Sequence, residues 1–251
     1  MIDWRRQRTL ALIAVSFLTR IPIPRSVEFS TANLNAAARY FPTVGLLVGA
    51  FAAAIYTLTI SLWPVAIAVL LSMVATIVLT GAFHEDGWAD SCDGFGGGAN
   101  RERILAIMKD SRIGTYGALG LGLMLALKFA ALQQLSSTLI LPALLIGHAW
   151  SRLLATSYLF DLPYARATDS KVADVATQLS MNSLRIAVLS VLPLIFLISL
   201  TQAIWIIAVL LVWRWSFGRY CQHRIGGYTG DCLGAAQQVA EVLIYLVLAA
   251  V

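Results

Sequence analysis

The chain has 251 residues; 59% are hydrophobic, 12% are charged, and the formal charge is +5. A water-soluble domain is about half apolar and about one-quarter charged, so these proportions, with a mean hydropathy of +0.78, exclude a disordered, collagenous or conventional soluble chain. They indicate an all-α polytopic membrane protein, whose basic excess belongs to cytoplasmic loops rather than to nucleic-acid binding. Cys92, Cys221 and Cys232 are scattered and odd in number, a pattern of reduced thiols rather than of a disulfide framework.

In chain order, the apolar stretch 9–19 follows Arg5, Arg6 and Arg8. It is too short to cross about 30 Å of hydrocarbon, and no small-residue cleavage site follows it. It therefore predicts an uncleaved interfacial or re-entrant helix. Seven stretches predict spans: 41–62, 64–83, 115–135, 139–160, 184–200, 203–217 and 235–251, the fifth and sixth joined as a tight hairpin at Thr201 and Gln202. Alternate connections carry no charge. The others hold Arg101, Arg103, Lys109 and Arg112, then Arg166, Lys171 and Arg185, then Arg219 and Arg224. The Lys/Arg bias places these, with the N-terminus, in the cytoplasm. All the polar sequence then lies on one side of the inner membrane, in one catalytic domain over residues 1–251. A transporter needs polar groups reachable from both sides, so the asymmetry favours an enzyme working at the cytoplasmic face.

The strongest chemical signal starts at residue 83. Asp86, Asp90 and Asp93 are spaced i, i+4, i+7 and fall within about 60° of one another on a helix, predicted as the cytoplasmic extension of the second span. Acids at a helix C-terminal end are disfavoured by the dipole, and these also repel one another unless a cation intervenes. A hard dication such as Mg²⁺ suits carboxylates without a thiolate pair; a solvated acidic helix end is the plainer alternative. Glu85 sits at the edge of that face. Asp110, just before the third span, would complete the site from a neighbouring helix. His84 serves as a base, an orienting group or an interfacial side chain. Lys109 and Arg112 flank Asp110 and suit phosphate or headgroup oxygens. The glycines at 94–98 suit either close approach to phosphate or a helix stop.

A second constellation, Gly226, Gly227, Thr229, Gly230 and Asp231, opens the last span. Its glycines permit sharp turns and backbone contact with a ligand, although Asp231 also suits a simple helix cap. Lys128, Arg152, Arg214 and Glu241 lie within apolar stretches, where a charge faces a cavity or a partner. Arg152 and Arg214 are positioned to reach an inner cavity or to snorkel. Glu241 is expected at the same cavity as Asp231, and Lys128 has no evident partner. Tyr164 and Arg166, on the inner side, suit stacking on or binding a large ligand.

Five stretches follow one another as in cobalamin synthase (adenosylcobinamide-GDP ribazoletransferase): F-L-T-R-I-P-I-P from Phe17, F-P-T-V-G-L-L-V-G from Phe41, F-H-E-D-G-W-A-D-S-C-D-G from Phe83, M-K-D-S-R-I-G-T-Y-G from Met108 and G-G-Y-T-G-D-C-L-G-A from Gly226. The sequence resembles that family over nearly its whole length. The acidic run and the glycine-rich loop are the specific pieces; Trp88 stands where leucine is common. The resemblance implies an integral membrane, Mg²⁺-dependent enzyme that joins adenosylcobinamide-GDP to α-ribazole or its 5′-phosphate and releases GMP.

On that reading Asp86, Asp90, Asp93 and Asp110, with Glu85 at the edge, hold the metal. His84 or a carboxylate takes the proton of the attacking hydroxyl, and Asp231 helps position a substrate. Lys109, Arg112, Arg152, Tyr164, Arg166, Gly226, Gly227, Thr229 and Gly230 are the candidate substrate contacts. Partners beyond the two substrates and the lipid bilayer are a second copy of the chain or other cobalamin-assembly enzymes. The acidic run also resembles that of the CDP-alcohol phosphotransferases, but the arginine that follows their D-G-x-x-A is Asp90 here, which weakens a lipid-synthase reading. An ion-coupled transporter is the third reading, disfavoured by the charge-free outer loops.

Overall fold

The structure, a computed structural model, describes residues 3–166 and 178–251, so Lys171 lies outside the described residues. The regular elements are helical, as composition predicts; the β pairing among the described residues is one isolated bridge, Tyr164 with Tyr228. Helix α1 (Trp4–Leu18) is capped by the Asp3 carboxylate, which accepts from the Arg6 amide at 3.1 Å. It buries Leu10, Ile13, Ala14 and Leu18 along one stripe, the spacing of a helix lying against a core. Its 15 residues reach about 22 Å, short of a full crossing.

Helix α2 (Thr31–Ala37) passes through a 3-10 turn (Ala38–Tyr40) into α3 (Phe41–Thr59), together a 29-residue apolar segment. Next come α4 (Val65–Thr80), α5 (Phe83–Gly97), α6 (Arg101–Ile107), α7 (Thr115–Gln134) and α8 (Ile140–Asp161). Helix α9 (Met181–Val191) continues as a 3-10 turn (Leu192–Leu197) and is followed by α10 (Leu200–Ile225) and α11 (Gly230–Ala250). Helix α11 is the hub, packed on α5, α8, α10 and α7, while α3 packs on α8 and α4.

Four segments among the described residues are long and apolar enough to cross a membrane: Thr31–Thr59, Thr115–Gln134, Leu200–Ile225 and Gly230–Ala250; a fifth results if the bent pair α4 and α5 counts as one. This is coarser than the seven predicted spans. Helix α4 has only 16 residues and bends by 88° into α5. Helix α8 is long but interrupted by His148, Ser151 and Arg152. The stretch 184–200 changes to 3-10 geometry at Leu192-Pro193. The predicted turn at Thr201 and Gln202 lies inside α10. The chain turns one step earlier, at Ser199, whose hydroxyl accepts from the Gln202 amide in a capping box.

Glycines set the closeness of α3 and α8. A Cβ on Gly45 would collide with the His148 carbonyl oxygen, and one on Gly49 with that of Leu144, so the two backbones touch as in small-xxx-small helix pairs. Gly122 on α7 faces open space. Gly45→Val and Gly49→Val should each destabilise the protein by about 1–3 kcal/mol through overpacking, with Gly122→Val close to neutral. Thermal unfolding in detergent measures this; equal midpoints for Gly49→Val and Gly122→Val would contradict the packing.

Candidate active site

The acidic helix does not extend the second span. Gly81 (φ 69°) and Ala82 (φ 58°) both adopt left-handed backbone, which ends α4 and starts α5 in a new direction. For Ala82 this conformation costs on the order of 1 kcal/mol. The segment after α1 braces the break: the Arg20 amide donates to the Leu79 carbonyl at 2.8 Å, and the Arg20 guanidinium fills the space beside Gly81. The break also corrects the electrostatics read from sequence. Glu85 and Asp86 lie in the first turn of α5, not at a C-terminal end, so the helix dipole favours them.

The same turn brings α5 onto the start of α11. A Cβ on Gly87 would stand 3.0 Å from the Asp231 carbonyl oxygen, and one on Gly234 would stand 3.0 Å from that of His84. Two motifs far apart in sequence therefore share one site. Between them lies a cavity of about 250 Å³, lined by His84, Asp86 and Gly87 of α5, Gly230, Asp231 and Gly234 of α11, Arg152 and Thr156 of α8, and Tyr164 and Arg166. Phe17, Leu18, Phe41, Phe83 and Leu159 are among the apolar residues of its wall.

The charged groups of this cavity are held from behind. Arg166 donates through Nη2 to Asp231 Oδ2 at 3.0 Å, and the Thr229 hydroxyl donates to the same oxygen at 3.2 Å. Thr229 also caps α11 by accepting from the Cys232 amide at 3.2 Å. Arg152 is 3% exposed and donates through Nη1 to the His148 carbonyl at 2.9 Å. The Nε atoms of Arg152 and Arg166 are both buried without a hydrogen-bond partner among the described residues. Such orphaned cationic donors are costly unless an anion arrives.

Asp90 belongs to this group electrostatically. Burial, and then the carboxylates of Asp231, Asp86 and Asp93, push its pKa up to about 7, with Arg166 offsetting part of the effect. The His84 ring is 5% exposed; burial, then Arg152, holds its pKa well below the usual value, so it is neutral.

The other predicted residues lie elsewhere. Both Asp93 oxygens accept backbone amides at the start of α7, from Gly114 at 2.7 Å and Gly117 at 2.8 Å. Asp110 is paired with Arg112 at 2.6 Å, which holds its carboxyl down to about 2. Asp93, Asp110 and Arg112 line a second cavity of about 430 Å³ with Arg103 and Tyr116, and exposed Lys109 follows α6. Gly226 and Gly227 (φ 78° and 156°) turn the chain so that the Tyr228 amide donates to the Pro163 carbonyl at 3.0 Å. They shape the strap carrying Tyr164 and are not among the residues lining the main cavity. Gly94 and Gly98 pack on α6.

Below the cavity lies a buried polar network. Glu241 accepts from Tyr245 at 3.1 Å and Gln237 at 2.6 Å, is paired with Lys128 at 3.1 Å, and stands 3.3 Å from His148 Nδ1. Lys128 also donates to Gln238, which in turn donates to Glu85 at 3.0 Å. Glu241 thus points into the bundle rather than at the cavity, and Lys128 has its partner there. Arg214 is paired with Asp161 at 2.7 Å, away from the cavity.

The comparisons with known proteins give the family. The model of the family described as cobalamin-5-phosphate synthase matches residues 10–249. The chain belongs to the cobalamin-5-phosphate synthase family. An adenosylcobinamide-GDP ribazoletransferase of Shewanella frigidimarina is 47% identical over 100% of this chain and 97% of its own. One from Vibrio cholerae serotype O1 is 46% identical over 98% and 95%. No solved structure matches the chain.

For this cobalamin-5-phosphate synthase family member, sequence reasoning passed over Phe17, Phe41 and Phe83, because apolar residues carry no signal in so apolar a chain. Among the described residues no three His, Cys, Asp or Glu side chains stand close enough to ligate one metal ion. The donor chemistry at Asp86, Asp90 and Asp231 nevertheless suits a hard dication: they are carboxylates close enough to raise the pKa of Asp90.

That crowding gives a pH prediction. Folded Asp90 keeps a proton that the unfolded chain has released, so the metal-free protein should lose stability as pH rises from about 4 to about 7. Asp90→Asn should flatten that slope and be the more stable form at pH about 8. Unfolding midpoints in chelator across this range test it; identical pH profiles for the two proteins would contradict the crowding.

Proposed function

We propose that this chain joins adenosylcobinamide-GDP to α-ribazole, or its 5′-phosphate, and releases GMP. The family supplies the reaction class. The observation that carries it to this cavity is the pair of arginine side chains, Arg152 and Arg166, on a wall that also bears Asp86 and Asp231. Guanidinium forks match phosphate oxygens, so the two side chains suit a diphosphate.

The reaction balances within these groups. A ribose hydroxyl of the acceptor attacks the phosphate nearer the corrinoid, a new P–O bond forms, and the bond to the GMP phosphate breaks. His84 or a carboxylate at the cavity wall takes the hydroxyl proton. Arg152 and Arg166 hold the diphosphate and stabilise charge on the departing GMP. Mg²⁺ is the proposed cofactor, for which Asp86 and Asp231 at the cavity would supply carboxylate oxygens; both Asp93 oxygens accept amides of α7, and Asp110 is paired with Arg112. When bound, it would neutralise the diphosphate and the leaving group.

The proposed setting is the inner membrane with the cavity facing the cytoplasm, as the Lys/Arg bias favours. Exposed Leu119, Leu123, Ile204, Leu211 and Val212 on α7 and α10 would meet lipid tails. Seven crossings are proposed, with α8 shielded by its neighbours and α9 lengthened by its 3-10 turn to about 28 Å.

The purified protein with Mg²⁺ and both substrates should yield GMP and the cobalamin product in equal amounts. Arg152→Leu and Arg166→Leu should each lower kcat/KM by about 10²-fold or more. Release of CMP from a CDP-linked donor, with no GMP from adenosylcobinamide-GDP, would overturn the reading in favour of lipid synthesis.

A further inference from the structure

One wall of the cavity takes no part in the steps above. Phe17 stacks on Phe41 with ring centres 5.3 Å apart and planes at 6°, and meets Phe83 edge-on at 5.5 Å. Phe83 in turn meets the His84 ring edge-on at 5.3 Å. The rings come from α1, α3 and α5, and Leu18 and Leu159 line the same cavity. None of these five side chains offers a hydrogen-bond donor or acceptor. Phe41 is buried, whereas Phe83 is 43% exposed and marks an open edge.

We propose that the Phe17–Phe41–Phe83 wall is the recognition surface for the flat, alkylated heteroaromatic base of the acceptor nucleoside. The proposal rests on the transfer reading above and adds to it the place and chemistry of acceptor selection. Size supports it first. A closed cavity of about 150 Å³ accepts a benzene ring, so about 250 Å³ has room for a fused bicyclic ring. Polarity supports it next. A guanine ring placed here would bury several polar edge groups without partners, at a cost of kilocalories each, whereas a methylated benzimidazole presents mostly carbon.

Continuity is the third support. His84 borders both the ring cluster and the charged wall, so a base on Phe17 and Phe83 directs its attached ribose toward the proposed proton acceptor. Offset or edge-on ring contacts add binding beyond burial alone. The N-terminal helix thus forms part of the substrate site, while the segment after it braces the helix break.

The test is steady-state GMP release by the full-length protein, with α-ribazole and adenosylcobinamide-GDP varied in turn. Phe83→Ala and Phe17→Ala should raise the KM for α-ribazole about tenfold, leaving kcat and the donor KM within about twofold. Phe17→Tyr should restore most of the loss. Phe83→Leu, at the exposed edge, serves if Phe17→Ala does not fold. The wild type should also prefer α-ribazole to an α-ribosyl purine, and the alanine variants should lose part of that preference. A rise in the donor KM alone, or equal rises in both, would overturn the proposal. So would an unchanged acceptor KM with a new dependence on added phospholipid, which would make the wall a lipid site. A wild type that releases no GMP would instead refute the transfer reading itself.

Discussion

The site depends on two helices touching without side chains between them. Gly87 of α5 and Gly234 of α11 bring the backbones to within a Cβ's width of each other, and that contact places the acidic motif beside the glycine-rich loop. A side chain at either position would press on the facing backbone. The left-handed pair Gly81 and Ala82 makes the contact reachable, by turning α5 88° away from α4. Arg20 holds that turn. Local backbone strain, a bracing arginine and a glycine contact thus act in series to build one charged cavity.

The buried network beneath it serves the same end by a different route. Charges in an apolar bundle are costly unless paired and hydrogen-bonded. Here Lys128 is matched by Glu241, and Gln237 and Gln238 carry the hydrogen bonding from Glu241 toward Glu85 on the acidic helix. His148 links the network to Arg152 at the cavity wall. The four helices α5, α7, α8 and α11 are therefore tied by polar contacts as well as by packing. Arg152 is thus anchored through Nη1 while its side chain lines the cavity.

Much of this is legible in the sequence, within limits set by physics. Long apolar runs declare helices, and the i, i+4, i+7 aspartates declare a common face. They do not declare which neighbour reaches that face. Asp86 lines one cavity with the start of α11, while Asp93, on the same face by spacing, is taken up by the amides that open α7. The direction of α5 is hidden because Ala82 is not a residue that signals left-handed backbone. The Lys128–Glu241 pair joins α7 to α11, and no local pattern reveals such a partner. Hydropathy alone does not separate a crossing helix from a bent or broken one, as at α4 and α5.

The central claim is that direct backbone contact between α5 and α11 creates the reactive cavity. Its most direct test is a size series at Gly234, to Ala, Val and Leu, against the same series at open Gly122, with membrane insertion and GMP release measured for each. The account predicts that release falls steeply with side-chain size at Gly234, by about 10²-fold or more by Leu. The Gly122 series should stay within a few-fold at equal insertion. A flat response at Gly234 in protein that inserts normally would contradict it.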